Sequence, residues 1–326
     1  MLQDSFGRKH DYLRISLTDV CNFRCVYCMP AEDMQFMPPA RLMQANEIVD
    51  IATEFVKLGV TKIRLTGGEP LVRKDAADII LQLSKLPVEL TISTNAVRVD
   101  EFIDVFKRAN IKSINVSLDT LNKEKFHTIA QRNSFDKVWS NINLLVENNF
   151  HVKINAVIMR GINETELNDF VALTQQLPVH VRFIEFMPFT GNKWNDTKVF
   201  SYQQMLDVIA TKFTYIKLKD GKHDTTKKYK VLNHAGTFAV ISTMSAPFCE
   251  GCNRLRLTAD GKMKNCLFSK GEADILSAYR KGEDFIAIIK QCVHQKEKEL
   301  GGQFTSDLHK VNSENILNRS MISIGG

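Results

Sequence analysis

The stretch "YLRISLTDVCNFRCVYC", Tyr12–Cys28, joins a β-rich run to three cysteines on the loop that follows it. Cys21, Cys25 and Cys28 fall at Cys-x3-Cys-x2-Cys spacing, in a chain with seven cysteines. A disulfide takes two cysteines, and a tetrahedral structural zinc takes four protein ligands. Three thiolates can hold three irons of a four-iron cubane and leave the fourth iron open. A zinc site with a distant fourth ligand, or simply buried free thiols, are the other readings of the spacing.

Working outward, five more runs read as strands: "TKIRLT" from Thr61, "VELTIST" from Val88, "KSINVSL" from Lys112, "HVKINAVI" from His151 and "VHVRFIEF" from Val179. Amphipathic stretches separate them. In "NEIVDIATEFVKLG", Ile48, Ile51, Phe55 and Leu58 recur at helical spacing and Gly59 ends the helix. Strands alternating with helices make parallel βαβ units. Six units are fewer than the eight of a closed barrel. The fold class is therefore α/β, an open, partial parallel β/α barrel of about six units with a C-terminal extension. The boundary is expected near residue 190, giving regions 1–190 and 191–326.

Polar residues gather where these strands end: "TGGEP" at Thr66, "STN" at Ser93, "SLD" at Ser117, Asn155 on strand five, and "EFMP" at Glu185. Barrel enzymes assemble their sites on that rim. After Met187 comes a loop, a helix from Ser201, and the basic stretch "KLKDGKHDTTKKYK" from Lys217, which reads as a solvated hairpin. The 43 Lys and Arg against 37 Asp and Glu give a net charge of +6. That fits an anionic small substrate and equally a solvated surface with no charged partner, and does not by itself indicate nucleic acid. The charged N-terminal stretch lacks the apolar run of a secretion signal, and no segment approaches a membrane span. Clustered cysteines in odd number favour metal or redox chemistry in the cytoplasm.

A second group, "CEGCNRLRLTADGKMKNC", sets Cys249, Cys252 and Cys266. Cys292 lies in a helical stretch and reads as a buried small side chain. A zinc knuckle with His234 or Cys292 as fourth ligand is the competing reading.

Cys-x3-Cys-x-aromatic-Cys, with Tyr27 as the aromatic, together with "GGEP" (Gly67–Pro70), resembles the radical S-adenosylmethionine (SAM) enzymes. The chain as a whole resembles the molybdenum-cofactor GTP 3′,8-cyclases of that superfamily. The likeness is carried by "LRISLTDVCNFRC", "RFIEFM" (Arg182–Met187), "CNRLR" (Cys252–Arg256), "DGK…CLF" (Asp260–Phe268) and the Gly325-Gly326 ending. Val20 before the first cysteine and "NAVRV" after strand three depart from the pattern, and neither touches a cysteine.

The resemblance implies two 4Fe–4S clusters, one on Cys21, Cys25 and Cys28 that chelates SAM, the other on Cys249, Cys252 and Cys266 facing the substrate. It implies SAM contacts from Tyr27, Gly67, Gly68, Ser117 and Met187, and GTP contacts from Arg14, Arg64, Thr94, Lys153, Arg254 and Arg256. Gly325 and Gly326 would reach into the site. The implied reaction starts with a 5′-deoxyadenosyl radical, removes hydrogen from C3′ of GTP and forms 3′,8-cyclo-7,8-dihydro-GTP. An external electron donor, a downstream cyclic pyranopterin synthase and a homodimer are the implied partners. Arg14, Arg64 and Lys153 interrupt apolar strands, where a charge is costly unless answered. No Walker-type loop occurs. A peptide-modifying radical SAM enzyme and a zinc-stapled binding module are the alternatives from other classes.

Overall fold

The computed structural model describes residues 1–28, 35–304, 307, 311 and 315–325. The six expected strands form, as β1 Tyr12–Ser16, β2 Lys62–Thr66, β3 Glu89–Thr94, β4 Ser113–Ser117, β5 His151–Ile158 and β6 His180–Glu185. They pair in parallel in chain order. Helices such as Ala45–Lys57 return the chain between them. That helix starts on a capping box between Gln44 and Glu47, and Gly59 follows its end at φ +104°. Only glycine takes that backbone conformation without strain.

Period two explains the burial. Leu13, Ile15, Ile63, Leu65, Val152, Ile154, Val181 and Phe183 are fully or almost fully buried on the face beneath the helices. Each contributes roughly 1.5–3 kcal/mol. The intervening residues face the other way, into the barrel.

The region after residue 190 is not set apart from this sheet. It adds β7 Tyr215–Lys217, β8 Lys227–Val231, β9 Thr237–Ile241, β10 Arg254–Leu257, β11 Lys262–Lys264 and β12 Ala273–Asp274. The strand order is β12-β11-β10-β1-β2-β3-β4-β5-β6-β9-β8-β7. β10 joins β1 in parallel, and β9 joins β6 in parallel. The parallel run therefore extends beyond the six expected units by one strand on each side. β9 and β10 do not pair with one another, so the barrel stays open. Antiparallel β11–β12 and β7–β8 finish the two edges.

The basic stretch is a hairpin, as expected, but it is not merely solvated. Its turn lies against the second cysteine loop, where His223 Nδ1 sits 2.9 Å from the carbonyl oxygen of Gly251. A Cβ on Gly251 would lie 2.4 Å from the Lys222 carbonyl oxygen. Bidentate Arg280–Glu47 contacts at 2.7 and 2.9 Å tie the helix Ile275–Lys281 to the first helix.

Candidate active site

The barrel holds two adjoining cavities. The smaller, about 180 Å³, is lined by Cys21, Cys25, Cys28, Tyr27, Gly67, Gly68, Thr94 and Ser117. The larger, about 770 Å³, is lined by Cys249, Cys252 and Cys266, by Arg14, Arg64, Lys153, Arg182, Arg254 and Arg256, and by the turn at 221–226. Asn155, Ile184 and Met321 line both, so the chambers meet beside the middle of β5 and the end of β6.

Hydrogen bonds fasten the first cysteine loop. Arg24 N–H and Val26 N–H donate to the carbonyls of Ala130 and Ile129, and the Arg132 side chain donates to Asn22 O at 2.9 Å. The "GGEP" turn packs on the same loop. Gly68 N–H donates to Thr18 O at 2.7 Å, and Glu69 N–H to Val20 O at 2.9 Å. A Cβ on Gly68 would lie 2.4 Å from the Val20 oxygen, and one on Gly67 would lie 2.7 Å from the Thr18 oxygen. These glycines are thus required by the cysteine loop itself, whatever ligand lies beside them.

Buried carboxylates stitch the rim. Glu69 accepts from Leu71 N–H, Asn95 N–H and the Thr94 hydroxyl. Glu185 accepts from the backbone N–H groups of Tyr202, Met244 and Ser245. Asp119 accepts from Val157 N–H and, at 2.8 Å, from the Tyr27 hydroxyl. Burial pushes Glu69 up to about 7 and Asp119 up to about 6, against the lowering effect of those bonds.

Burial raises Cys249 as it raises the first triad, and the two triads part at Cys252. Burial first, then the Glu69 carboxylate, pushes the Cys21 thiol up to about 11. Burial, Cys21 and Asp119 push Cys28 up to about 12. Bare thiolates are disfavoured there, and sulfurs that share their charge with a metal centre suit the place. At Cys252 burial again raises the thiol, but the Arg254 guanidinium and Lys296 ammonium outweigh it and bring it to about 6. Both donor sets fit clusters held by three protein sulfurs. Among the described residues no three His, Cys, Asp or Glu side chains close on a point as ligands of a single ion would. The two candidate fourth zinc ligands lie elsewhere: His234 Nδ1 is 2.8 Å from Thr174 Oγ1, and buried Cys292 borders neither cavity.

Strand register explains the cationic wall. Arg256, Arg14 and Arg64 stand side by side on β10, β1 and β2. Asn115 pairs with Lys153, and Asn155 with Arg182, on β4, β5 and β6. Arg64 Nε, Arg182 Nη2 and Asn115 Oδ1 are buried with no hydrogen-bond partner among the described residues. The wall is self-repulsive. Burial, then the neighbouring cations, lower Lys153 to about 7, and burial with Arg64 lowers Arg182 to about 9. A polyanion would relieve both effects.

Most residues expected at the site do line one of the two cavities, and two lie away from their expected company. Met187, expected beside SAM, lines the larger chamber. Thr94, expected beside GTP, lines the smaller, with its hydroxyl donated to Glu69 at 2.8 Å. Gly325 lies at the ends of β1 and β2 with φ +83°, and its carbonyl accepts from Arg256. A Cβ there would lie 2.7 Å from Thr66 Oγ1 and 2.9 Å from Ser16 Cβ. Gly326 lies outside the described residues. Arg182 was not anticipated, although it breaks an apolar strand just as Arg14, Arg64 and Lys153 do.

Residues 15–174 match the family model described as Radical SAM superfamily, and residues 179–301 match Molybdenum Cofactor Synthesis C. The mitochondrial GTP 3′,8-cyclase of Arabidopsis thaliana is 44% identical, covering 100% of this chain and 84% of that protein. The GTP 3′,8-cyclase of Peptoclostridium acidaminophilum is 38% identical, covering 100% of this chain and 98% of that one. The chain belongs to the radical SAM GTP 3′,8-cyclase family. The chain spans about half the length of other curated relatives it matches: Molybdenum cofactor biosynthesis protein 1 of Bos taurus is 45% identical, with 99% of this chain and 51% of that protein covered. The crystal structure of Streptococcus suis SuiB bound to S-adenosylmethionine shares the fold, with a TM-score of 0.67 at 14% identity over 97% of this chain and 78% of that one. Among the described residues no helix is long and apolar enough to cross a membrane.

Proposed function

We propose that the protein is a GTP 3′,8-cyclase, converting GTP to 3′,8-cyclo-7,8-dihydro-GTP in molybdenum cofactor biosynthesis. The observation that carries this reading is the meeting of two chambers, one lined by each cysteine triad, with the cationic wall confined to the second. Cys21, Cys25 and Cys28 would hold a 4Fe–4S cluster, and Cys249, Cys252 and Cys266 another. When bound, the first cluster and SAM together supply one-electron, hydrogen-abstracting chemistry.

The chain's own residues do the rest. Tyr27, fixed by Asp119, offers SAM a flat apolar face. Gly68 and Ser117 line the same chamber, and their small size leaves room for its polar end. Arg14, Arg64, Arg182 and Lys153 bind and orient the triphosphate, and Arg254 and Arg256 hold the nucleotide by the second triad. Met187 and Thr94 stay with their proposed partners only if each ligand reaches across the junction. Gly325, held on Arg256, closes the floor beside Ser16 and Thr66 and excludes water. A chamber so rich in cations is poorly suited to the neutral backbone of a peptide substrate.

An external one-electron donor, a cyclic pyranopterin synthase that takes the product, and a homodimeric state complete the proposal. Reduced, clustered thiols call for a reducing compartment such as the cytoplasm. The test is anaerobic incubation of the reconstituted protein with SAM, GTP and a reductant. Formation of 5′-deoxyadenosine together with the cyclised nucleotide is expected. SAM cleavage with no change in GTP contradicts the proposal.

A further inference from the structure

We infer that Lys296 is a positioning residue for the second cluster, and that its ammonium raises that cluster's reduction potential. This rests on the reading that Cys249, Cys252 and Cys266 hold a 4Fe–4S cluster.

Lys296 is only 3% exposed. Its ammonium donates to Asn265 O at 2.5 Å, to Arg254 O at 3.1 Å and to Cys252 Sγ at 3.6 Å. An ammonium has three N–H groups, and each has one acceptor. Among the described residues no carboxylate pairs with it, so the sulfur is its one anionic partner. A buried charge is costly, and a lysine kept there without a carboxylate needs another negative group. The cluster's thiolate provides it.

The segment that carries Lys296 is built for the task. It leaves the helix Phe285–His294, with Lys296 N–H on Val293 O at 3.1 Å. Arg8 then clamps it from the N-terminal stretch, donating to Glu297 O at 2.8 Å, Lys298 O at 2.6 Å and Cys249 O at 2.9 Å. Asp4 holds Arg8 in turn, at 2.6 Å. At the far end of the segment Leu300 N–H donates to Cys249 Sγ at 3.5 Å. One short stretch thus delivers N–H groups to two of the three sulfurs. Hydrogen bonds and positive charge at ligating sulfurs favour the reduced, more negative cluster. The first triad has carboxylates nearby instead, and no lysine donates to its sulfurs among the described residues.

The test is a redox titration of the reconstituted holoprotein followed by electron paramagnetic resonance, with the two clusters separated by the change that SAM causes in the first. In Lys296→Met the second cluster should favour its oxidised form at least tenfold more than in the wild type. For a one-electron couple that is a fall of about 59 mV. The first cluster should be unmoved, and Lys296→Arg, which keeps the charge, should retain most of the potential. An unchanged second potential in Lys296→Met overturns the inference. A second measurement needs no variant: wild-type protein labelled with [15Nζ]lysine should show a lysine nitrogen coupled to the second cluster in pulsed resonance spectra, and its absence also overturns the inference. A wild-type protein that holds only about four irons sinks the two-cluster reading itself, and the inference with it.

Discussion

Replacing Arg182 by Met should make the free protein more stable and its grip on GTP weaker. Arg182 is half-buried, donates Nε to Asn155 Oδ1 at 2.7 Å, and among the described residues its buried Nη2 has no partner. Burial and Arg64 lower it from its ordinary 12.5 to about 9. At 1.36 kcal/mol per pKa unit, keeping it charged costs the empty fold on the order of 5 kcal/mol. Methionine fills similar volume without charge, and replacing buried charges by apolar groups stabilises by about 1–4 kcal/mol in other folds. With an unfolding entropy of about 2.1 cal/mol/K per residue, a chain of 326 residues should melt higher by roughly 1.5–6 °C. The same charge-assisted bond to a phosphate is worth about 1.5–3 kcal/mol, so GTP should bind about 10- to 150-fold more weakly. Anaerobic thermal melts and GTP calorimetry on the reconstituted protein read both effects. A variant that melts lower and binds GTP as tightly as the wild type would refute the reasoning, because Arg182 would then be a structural residue.

Lys153 is depressed to about 7 by burial and by Arg182, Arg64 and Lys62. A bound triphosphate favours its charged form, so GTP binding above pH 7 should take up a proton and weaken as pH rises toward 9; calorimetry in buffers of different ionisation enthalpy measures the uptake. Deleting Gly325 and Gly326 removes the carbonyl on Arg256, and should cut cyclised product at least tenfold while iron content and 5′-deoxyadenosine formation persist. Cys25→Ala should abolish SAM cleavage. Cys266→Ala should leave slow, uncoupled cleavage and no cyclised product, since even a ~1 Å misplacement can cost on the order of a hundredfold; parallel iron counts and product analysis read the split.

The barrel was legible because parallel strands buried under helices read as apolar runs broken at period two, and β1 to β6 follow one another in chain and in space. β9 and β10 were not read as strands. "TFAVI" and "RLRL" come after the alternation ends, and each joins a partner far away in sequence, β6 and β1. Such pairing leaves no local signal. The two triads were visible as spacing alone. Arg182 carried the same mark as Lys153, a cation inside an apolar strand, and its cross-strand partner Asn155 had already been singled out at the rim. The roles of Glu69, Asp119 and Glu185 were hidden because their partners include backbone N–H groups distant in sequence. Lys296 was hidden likewise, 44 residues from the Cys252 sulfur it touches.

The central claim is that the two chambers bring SAM and GTP together at their junction. Its most direct measurement is turnover of GTP deuterated at C3′, with mass analysis of the 5′-deoxyadenosine formed. The account predicts deuterium in that product from the wild type, and none from Cys266→Ala even while SAM is slowly cleaved. Wild-type 5′-deoxyadenosine free of deuterium, formed while GTP is consumed, would contradict it.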